Sequence, residues 1–380
     1  MKFQILTKNQ RLKKIVIAGG GLAGLITANL LAGRGIPCCV IEKKEYPFHR
    51  VCGEYISNET VPFLKSAGLF PDELRPASIH RFQLTSVNGK SSELPLSLGG
   101  FGISRYRFDE FLFQKAKLAG ARFLQKTEVD SIHFANDQFT ISTRDQAFEA
   151  DLVVGAFGKR SKLDVSLGRS FISRRSPYIG VKYHVKTNHP PALISLHNFQ
   201  DGYCGISNVE DGKSCLCYLS HRDNLKHHGS IPVMEKEVLF KNPFLKEIFT
   251  SSEFLLEKPE TINEISFAEK EPVQSHILMC GDAAGMITPL CGNGMAIAIH
   301  SAMLMSQLII QYCDEQISRA DLEARYARIW RSHFSSRLWA GRQIQRLFGG
   351  VRTSNFAVGL ATKAKPLAEI LIRQTHGNPF

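Results

Sequence analysis

The sequence predicts a mixed α/β (α+β) fold in which a parallel-sheet domain is interleaved with an antiparallel β-sheet domain and followed by C-terminal helices. Three observations carry that expectation. Strand, glycine turn, helix and strand follow one another within residues 13–44; apolar strands ending in glycine return near 152–158 and 276–282; and β-patterned segments fill the interval from about 170 to 220. The first is a βαβ unit, which implies parallel strands, and the last implies a second layer of a different kind.

Taken in order, KKIVIAGG (13–20) is a short apolar strand running into glycines, LAGLITANLLAGRG (22–35) is a helix with a Gly stop, and IPCCVIEKK (36–44) is a strand closing on an acid. Residues 81–98 read as short strands around the turn VNGK, and RFDEFLFQKAKLAGA (107–121) has helical periodicity before another Gly stop. Strands at 129–134 and 138–143 flank AND as a hairpin, and ADLVVGAFG then returns to a buried strand. YIGVKYHV, ALISLHNF, GYCGISNV and SCLCYLS are four strands of an antiparallel sheet. HILMCGD is again a buried strand, MAIAIHSAMLMSQLIIQYC a long buried helix, and the remainder is helical and basic. Residues 1–80, 101–165 and 270–315 therefore form the nucleotide-type domain, 81–100 and 166–269 the β-rich substrate domain, and 316–380 a helical region.

A chain of 380 residues that is 43% hydrophobic can bury a large core and make two or three domains. It opens without a charged, apolar, small-residue cleavage pattern and has no run of about 18 apolar residues, so the expectation is a cytoplasmic protein without a membrane span. Nine cysteines with no CxxC pair argue against a disulfide framework and against a metal site. The net charge of +12 sits at the ends: residues 319–380 hold eleven Lys/Arg against three Asp/Glu, and residues 1–14 hold five basic groups and no acid. The body between is near neutral, which argues against a nucleic-acid-binding body. The basic termini suit peripheral contact with acidic lipid on the inner face of a membrane, an anionic substrate, or simply solvent.

AGGGLAG places Gly19, Gly21 and Gly24 at G-x-G-x-x-G spacing between a strand and a helix, with Glu42 closing the next strand. The glycines permit a tight turn and close backbone approach, the helix N-terminus meets a pyrophosphate, and the carboxylate accepts ribose hydroxyls while repelling a 2′-phosphate. This is a Rossmann-like dinucleotide-binding fingerprint.

With two further blocks, VVGAFGKRSKL and GDAAGMITPLCGNGM, the chain to about residue 315 resembles the flavoprotein superfamily of aromatic hydroxylases, geranylgeranyl reductases and flavin-dependent halogenases. ISRYRFDEFLFQKAKLAGA resembles that superfamily's R-x-x-[FL]-D helix, with Arg105 and Asp109. The resemblance implies FAD as cofactor. It implies that Asp282 accepts hydrogen bonds from the ribityl hydroxyls, and that the turn and helix after Pro289, with Gly292 and Gly294, offer N–H groups to the pyrimidine end of the ring. A positive helix end there stabilises reduced flavin. Gly158 belongs to the second block, where Phe157 stands in place of the Asp that many hydroxylases carry; NAD(P)H as the direct reductant is weakened by that exchange.

On the substrate side, YPFHRVCGEYIS (46–57) resembles the Cys-Gly motif of geranylgeranyl reductases, and its Gly-Glu pair resembles halogenases. The resemblance makes Cys52 a redox or proton-handling thiol, Arg50 an FAD contact, and Glu54 a loop-orienting or proton-moving group; small-residue packing is the alternative for Cys52 and for Cys291 in the flavin-facing turn. His49 is a weaker candidate. The block DGYCGISNVEDG (201–212) lacks the aromatic and Phe-Pro residues of the reductases, and no W-x-W-x-I-P block is available for halogenation. Leu322, Tyr326, Trp330, Phe334 and Leu338 form an apolar stripe flanked by arginines, able to dock on the body or to lie on an anionic membrane.

Three functions follow. The first is a flavin monooxygenase acting through reduced FAD and oxygen on an aromatic or apolar small molecule. The second is a geranylgeranyl-reductase-like enzyme reducing double bonds of an isoprenoid or lipid. The third is a flavin-binding accessory protein that modifies a partner protein.

Overall fold

The computed structural model describes residues 13–173 and 176–380. The basic residues Lys2, Lys8 and Arg11 lie outside the described residues. β1 (Ile15–Ala18), α1 (Leu22–Ala32) and β2 (Cys38–Ile41) form the βαβ unit, with β1 and β2 parallel in the register Ile15 to Cys38. Their apolar four-residue runs are buried on both faces, as a parallel sheet covered by helices requires. β3 (Tyr55–Ser57), β4 (Ala77–Thr85) and β5 (Ser91–Gly102) come next, then α2 (Arg105–Leu118) and the buried strand β6 (Leu152–Gly155). Four long strands follow: β7 (Tyr178–Lys186), β8 (Leu193–Phe199), β9 (Gly202–Asn208) and β10 (Ser214–His221). β11 (Ile277–Met279) precedes α3 (Gly294–Cys313), α4 (Arg319–Gln345), α5 (Val351–Lys363) and α6 (Lys365–Thr375).

The chain condenses into a six-stranded sheet, a nine-stranded sheet and a three-stranded sheet. In the first, β1 lies between β2 and β6, with β11 beyond β6, all parallel. The chain thus leaves β1 towards opposite sides, and a crevice opens beyond the carboxyl ends of these strands. In the second sheet β7, β10, β9 and β8 pair antiparallel in turn, but β8 meets β4 in parallel, Leu193 beside Arg81. The expectation of a purely antiparallel sheet is corrected at that one seam, where strands far apart in sequence meet without a hairpin to set their direction. The expected boundaries also shift: β4 starts before residue 81, β5 runs past 100, and β3 pairs with β5, so Tyr55–Ser57 joins the second sheet. The hairpin around residues 135–137 forms, and Ala147–Ala150 extends it into the three-stranded sheet.

Both faces of the large sheet are covered. Helices Arg222–His228, Ile231–Val238 and Pro243–Ser251, which the β-rich reading of 166–269 omitted, pack Met234, Val238 and Leu245 against Val181, Tyr183 and Phe199. α5 covers part of the opposite face, placing Ala357 and Val358 against Leu84, Leu196 and Leu219. α3 is long and apolar enough to cross a membrane by length and composition, yet it is mostly buried, packed against α1 and α4. The stripe Leu322, Tyr326, Trp330, Phe334 and Leu338 on α4 is buried throughout, so it docks on the body of the protein and offers no face to a bilayer.

Candidate functional site

Three sequence blocks converge because they follow the carboxyl ends of three neighbouring strands: Gly19 follows β1, Gly158 follows β6 and Asp282 follows β11. Gly19 has φ 107° and donates its N–H to the Ile41 carbonyl at 2.9 Å. A Cβ there would come within 2.4 Å of the Ala156 carbonyl oxygen, and one on Gly24 within 2.1 Å of the Gly19 carbonyl oxygen, so neither position admits a side chain. Gly21 instead is open, its nearest neighbour being Arg105 Nη2 at 3.9 Å. Among the described residues no side chain caps the start of α1. Its first-turn N–H groups and the positive end of its dipole are left for an anion, which is the arrangement a dinucleotide pyrophosphate needs.

Glu42 ends the next strand. It accepts hydrogen bonds from the backbone N–H groups of Gly20 at 2.9 Å and Lys44 at 3.0 Å, and from Arg50 Nη2 at 3.2 Å. The hydroxyl of Tyr46 donates to the Gly20 carbonyl and fixes the turn. Arg50 also reaches Asp109 at 3.3 Å, and Arg105 holds the same carboxylate through two bonds of 2.7 Å, at the start of α2. Arg50 and Arg105 are therefore anchored groups with a shared carboxylate between them.

Burial raises the Asp282 carboxyl above its usual range, opposed by the charges of Lys270, Arg105 and Lys159. Lys159 and Lys270 are themselves pushed down to about 8 by burial, against the pull of Asp282. Gly292 has φ 67° at the turn before α3, and a Cβ on it would come within 2.9 Å of the Tyr55 ring. Beside it, Cys291 lies 3.3 Å from Thr288 Oγ1, and burial pushes its thiol up to about 11. At neutral pH Cys291 is a protonated thiol, and its expected catalytic role has no thiolate behind it.

Cys52 and Glu54 face the large sheet. The Cys52 thiol is raised by burial, so it too keeps its proton. Glu54 is fully buried with φ 56°, and it accepts from His184 Nε2 at 2.6 Å, from the Arg105 N–H at 2.8 Å and from Lys182 Nζ. Burial alone would raise its pKa; Lys182 and His184 outweigh that and hold it well below the carboxylate range. Glu54 is thus an anchor for the loop rather than a proton carrier at neutral pH. Sequence reasoning missed Lys182 and His184. The available signal was the i, i+2 pair of basic residues inside the apolar strand YIGVKYHV, which places both on one face. Glu54, His184 and Cys215 bring three metal-ligating atoms within 4.8 Å of one another, but Lys182 supplies the positive charge at that point. His49, stacked on Tyr106 at 4.6 Å, stands 5.3 Å from the His184 ring with a buried Nδ1 that has no hydrogen-bond partner among the described residues.

One cavity of about 830 Å³ joins these groups. Gly19, Gly21, Glu42, Arg50, Cys52, Glu54, Arg105, Gly158, Asp282, Cys291, Gly292 and Gly294 all line it; Gly24 does not, because it packs α1 onto β1. Beyond the glycine turns the walls become apolar: Leu84, Leu94 and Leu196 from the sheet face Leu360, Leu371 and Ile372 from α5 and α6. The C-terminal helices, read in the sequence only as basic, form one wall of the chamber.

The sequence profile of a family described as FAD binding domain matches residues 13–332. The chain belongs to this FAD-binding family. Its relatives include a digeranylgeranylglycerophospholipid reductase of Methanopyrus kandleri, 23% identical over 88% of this chain and 86% of the relative. They also include a kynurenine 3-monooxygenase of Dictyostelium discoideum, 26% identical over 77% of this chain and 68% of the relative. Among solved structures, the halogenase PltM in complex with phloroglucinol and FAD superposes with a TM-score of 0.75 at 15% identity, over 96% of this chain and 82% of that one, a likeness of fold. The relatives thus include a reductase and a monooxygenase, the fold is shared with a halogenase, and the glycine cradle with Glu42 and Asp282 fits the FAD of this family.

Proposed function

We propose that the protein is an FAD-dependent oxidoreductase that reduces carbon–carbon double bonds of an elongated, apolar, isoprenoid or lipid-like molecule. The observation that carries this reading is a continuous cavity whose polar end is the glycine cradle and whose far end is walled largely by aliphatic side chains. Such walls hold a hydrocarbon chain by excluding water, with Tyr203, Thr375 and His376 as polar groups that also line the cavity. The reductase of Methanopyrus kandleri supports it, since the match takes in 86% of that protein's length.

The turn at Gly19 and Gly21 would hold the pyrophosphate of FAD, Glu42 the adenosine ribose, Asp282 the ribityl chain, and the turn at Gly292 and Gly294 the pyrimidine edge of the ring. Bound there, FAD supplies hydride transfer. What the chain adds is position, a dry chamber and a proton. Cys52 lines the cavity with its thiol protonated, so it can deliver the proton that saturation of a double bond consumes. Arg105 and Arg50, tied to Asp109, fix the loop that carries Cys52.

Oxygen transfer to an apolar molecule is the second reading, favoured by the likeness to kynurenine 3-monooxygenase. The protein reduced with dithionite under nitrogen and mixed with geranylgeraniol separates the two. Reduction yields a product heavier by two hydrogens without oxygen, and Cys52→Ala lowers its rate by about 100-fold. A product heavier by one oxygen atom, formed only after air is admitted, would replace this reading with the second. Phe157 beside Gly158 makes NAD(P)H a poor direct donor, which stopped-flow mixing with NADH and NADPH tests.

A further inference from the structure

Nine large hydrophobic side chains are exposed among the described residues, and five of them fall in the C-terminal helices: Trp339 at 58%, Val351 at 45%, Phe356 at 62%, Leu367 at 48% and Ile370 at 51%. On α5 the buried face is Ser354, Ala357, Val358 and Ala361. At 100° per residue, Arg352, Phe356 and Lys363 lie on the opposite face. On α6 Ala368 and Thr375 are buried, which turns Ile370 and Arg373 outward with Leu367 beside them. The two helices pack together as a hairpin through Ala364. Their outward surface is therefore aliphatic and aromatic with a border of Arg352, Lys363, Lys365 and Arg373, against the single acid Glu369 between residues 351 and 375. Among the described residues none of these four cations is engaged in an ion pair.

We propose that the outward face of the α5–α6 hairpin docks on an anionic lipid bilayer. Apolar side chains that can enter the acyl boundary, ringed by cations that meet phosphate headgroups, match such a surface in both polarity and charge. A second copy of the chain fits less well, because a two-fold contact would set this cationic border against itself. The inward sides of the same two helices line the aliphatic end of the cavity through Leu360, Ala361, Ala368, Leu371 and Ile372. Docking would leave one layer of helix between bilayer and chamber, a short path for an apolar substrate. That use rests on the reading of the preceding subsection; the docking does not.

The test is co-sedimentation of the full-length, FAD-loaded protein with vesicles of phosphatidylcholine alone and of phosphatidylcholine with phosphatidylglycerol, alongside F356S/I370S and R352E/K363E. None of these four residues lines the cavity, so flavin absorbance, melting temperature and turnover of detergent-dispersed substrate should match wild type. The expected result is binding to the anionic vesicles, weakened about ten-fold or more by either double substitution and by high salt. Wild-type protein that stays in the supernatant would overturn the proposal. So would double variants that sediment like wild type, which would place binding elsewhere, or a wild-type dimer that F356S/I370S makes monomeric, which would give the face to a second copy. Wild-type protein that sediments with the anionic vesicles but turns over no substrate would count against the oxidoreductase reading alone.

Discussion

Glu54 concentrates the physics of the site in one side chain. Its left-handed backbone, φ 56°, costs on the order of 1 kcal/mol for a residue with a Cβ. The bonds from Lys182, His184 and the Arg105 N–H more than offset that, and they tie the loop after β2 to β7. Glu54→Gln keeps the shape but leaves Lys182 with no counter-charge in a fully buried position, so unfolding free energy measured in urea should fall by about 3 to 5 kcal/mol. Glycines 19 and 24 give a sharper test of the cradle. Gly24→Ala puts a methyl group against the Gly19 carbonyl and should abolish FAD retention in a fluorescence-quenching titration, while Gly35→Ala, where a Cβ meets nothing within 4 Å but φ is 72°, should cost about 1 kcal/mol of stability and leave FAD binding alone. At this scale the sequence was most legible where backbone geometry dictates residue type. Gly19, Gly24 and Gly292 could be read because only glycine fits, whereas Lys182 and His184 could not, since their meaning depends on a loop 130 residues away.

The strands were legible because their apolar runs are bounded by glycine and turn residues; β7 to β10 fall where the alternation places them. Helices Ile231–Val238 and Pro243–Ser251 were not read, since eight or nine residues give too little periodicity, although Ser230 and Asn242 cap them with Pro in the first turn. For α4 the stripe was plain and its partner was not. An apolar face records that something covers it, not what does. The structure supplies the partner: Phe334 is fully buried, 5.6 Å from Trp330 and 5.4 Å from His300 of α3. Phe334→Ala should therefore destabilise the protein by about 3 to 5 kcal/mol in urea unfolding; a loss below about 1 kcal/mol would mean that α4 is not part of the core.

At the scale of the whole molecule, histidines held neutral shape the response to acid, and two buried ones are shifted furthest. Burial, aided by His189, pushes His197 down to about 3, and burial, aided by His333 and Arg337, pushes His300 down to about 4. Both stay neutral in the folded protein while the unfolded chain takes up protons below about 6.5. Stability should thus begin to fall below pH 6.5 and continue falling to about pH 4 and 3, where the folded forms protonate as well. Melting temperatures between pH 7 and 5 check this, and His197→Asn should flatten the slope.

The chamber itself was the least legible feature. Its walls come from β4, β5, β8, α5 and α6, so no single stretch of sequence records its shape or its polarity. Yet the proposed reaction depends on it: a dinucleotide cradle and an aliphatic chamber form one continuous space. The most direct measurement is the visible absorbance of the bound flavin during titration with geranylgeraniol. A cofactor held in the cradle should change its spectrum saturably as the hydrocarbon chain fills the adjoining space, and Leu196→Arg, which puts a charge into the chamber wall, should suppress that change without releasing the flavin. A protein that retains no flavin, or one whose flavin spectrum is indifferent to the apolar ligand, would contradict the account.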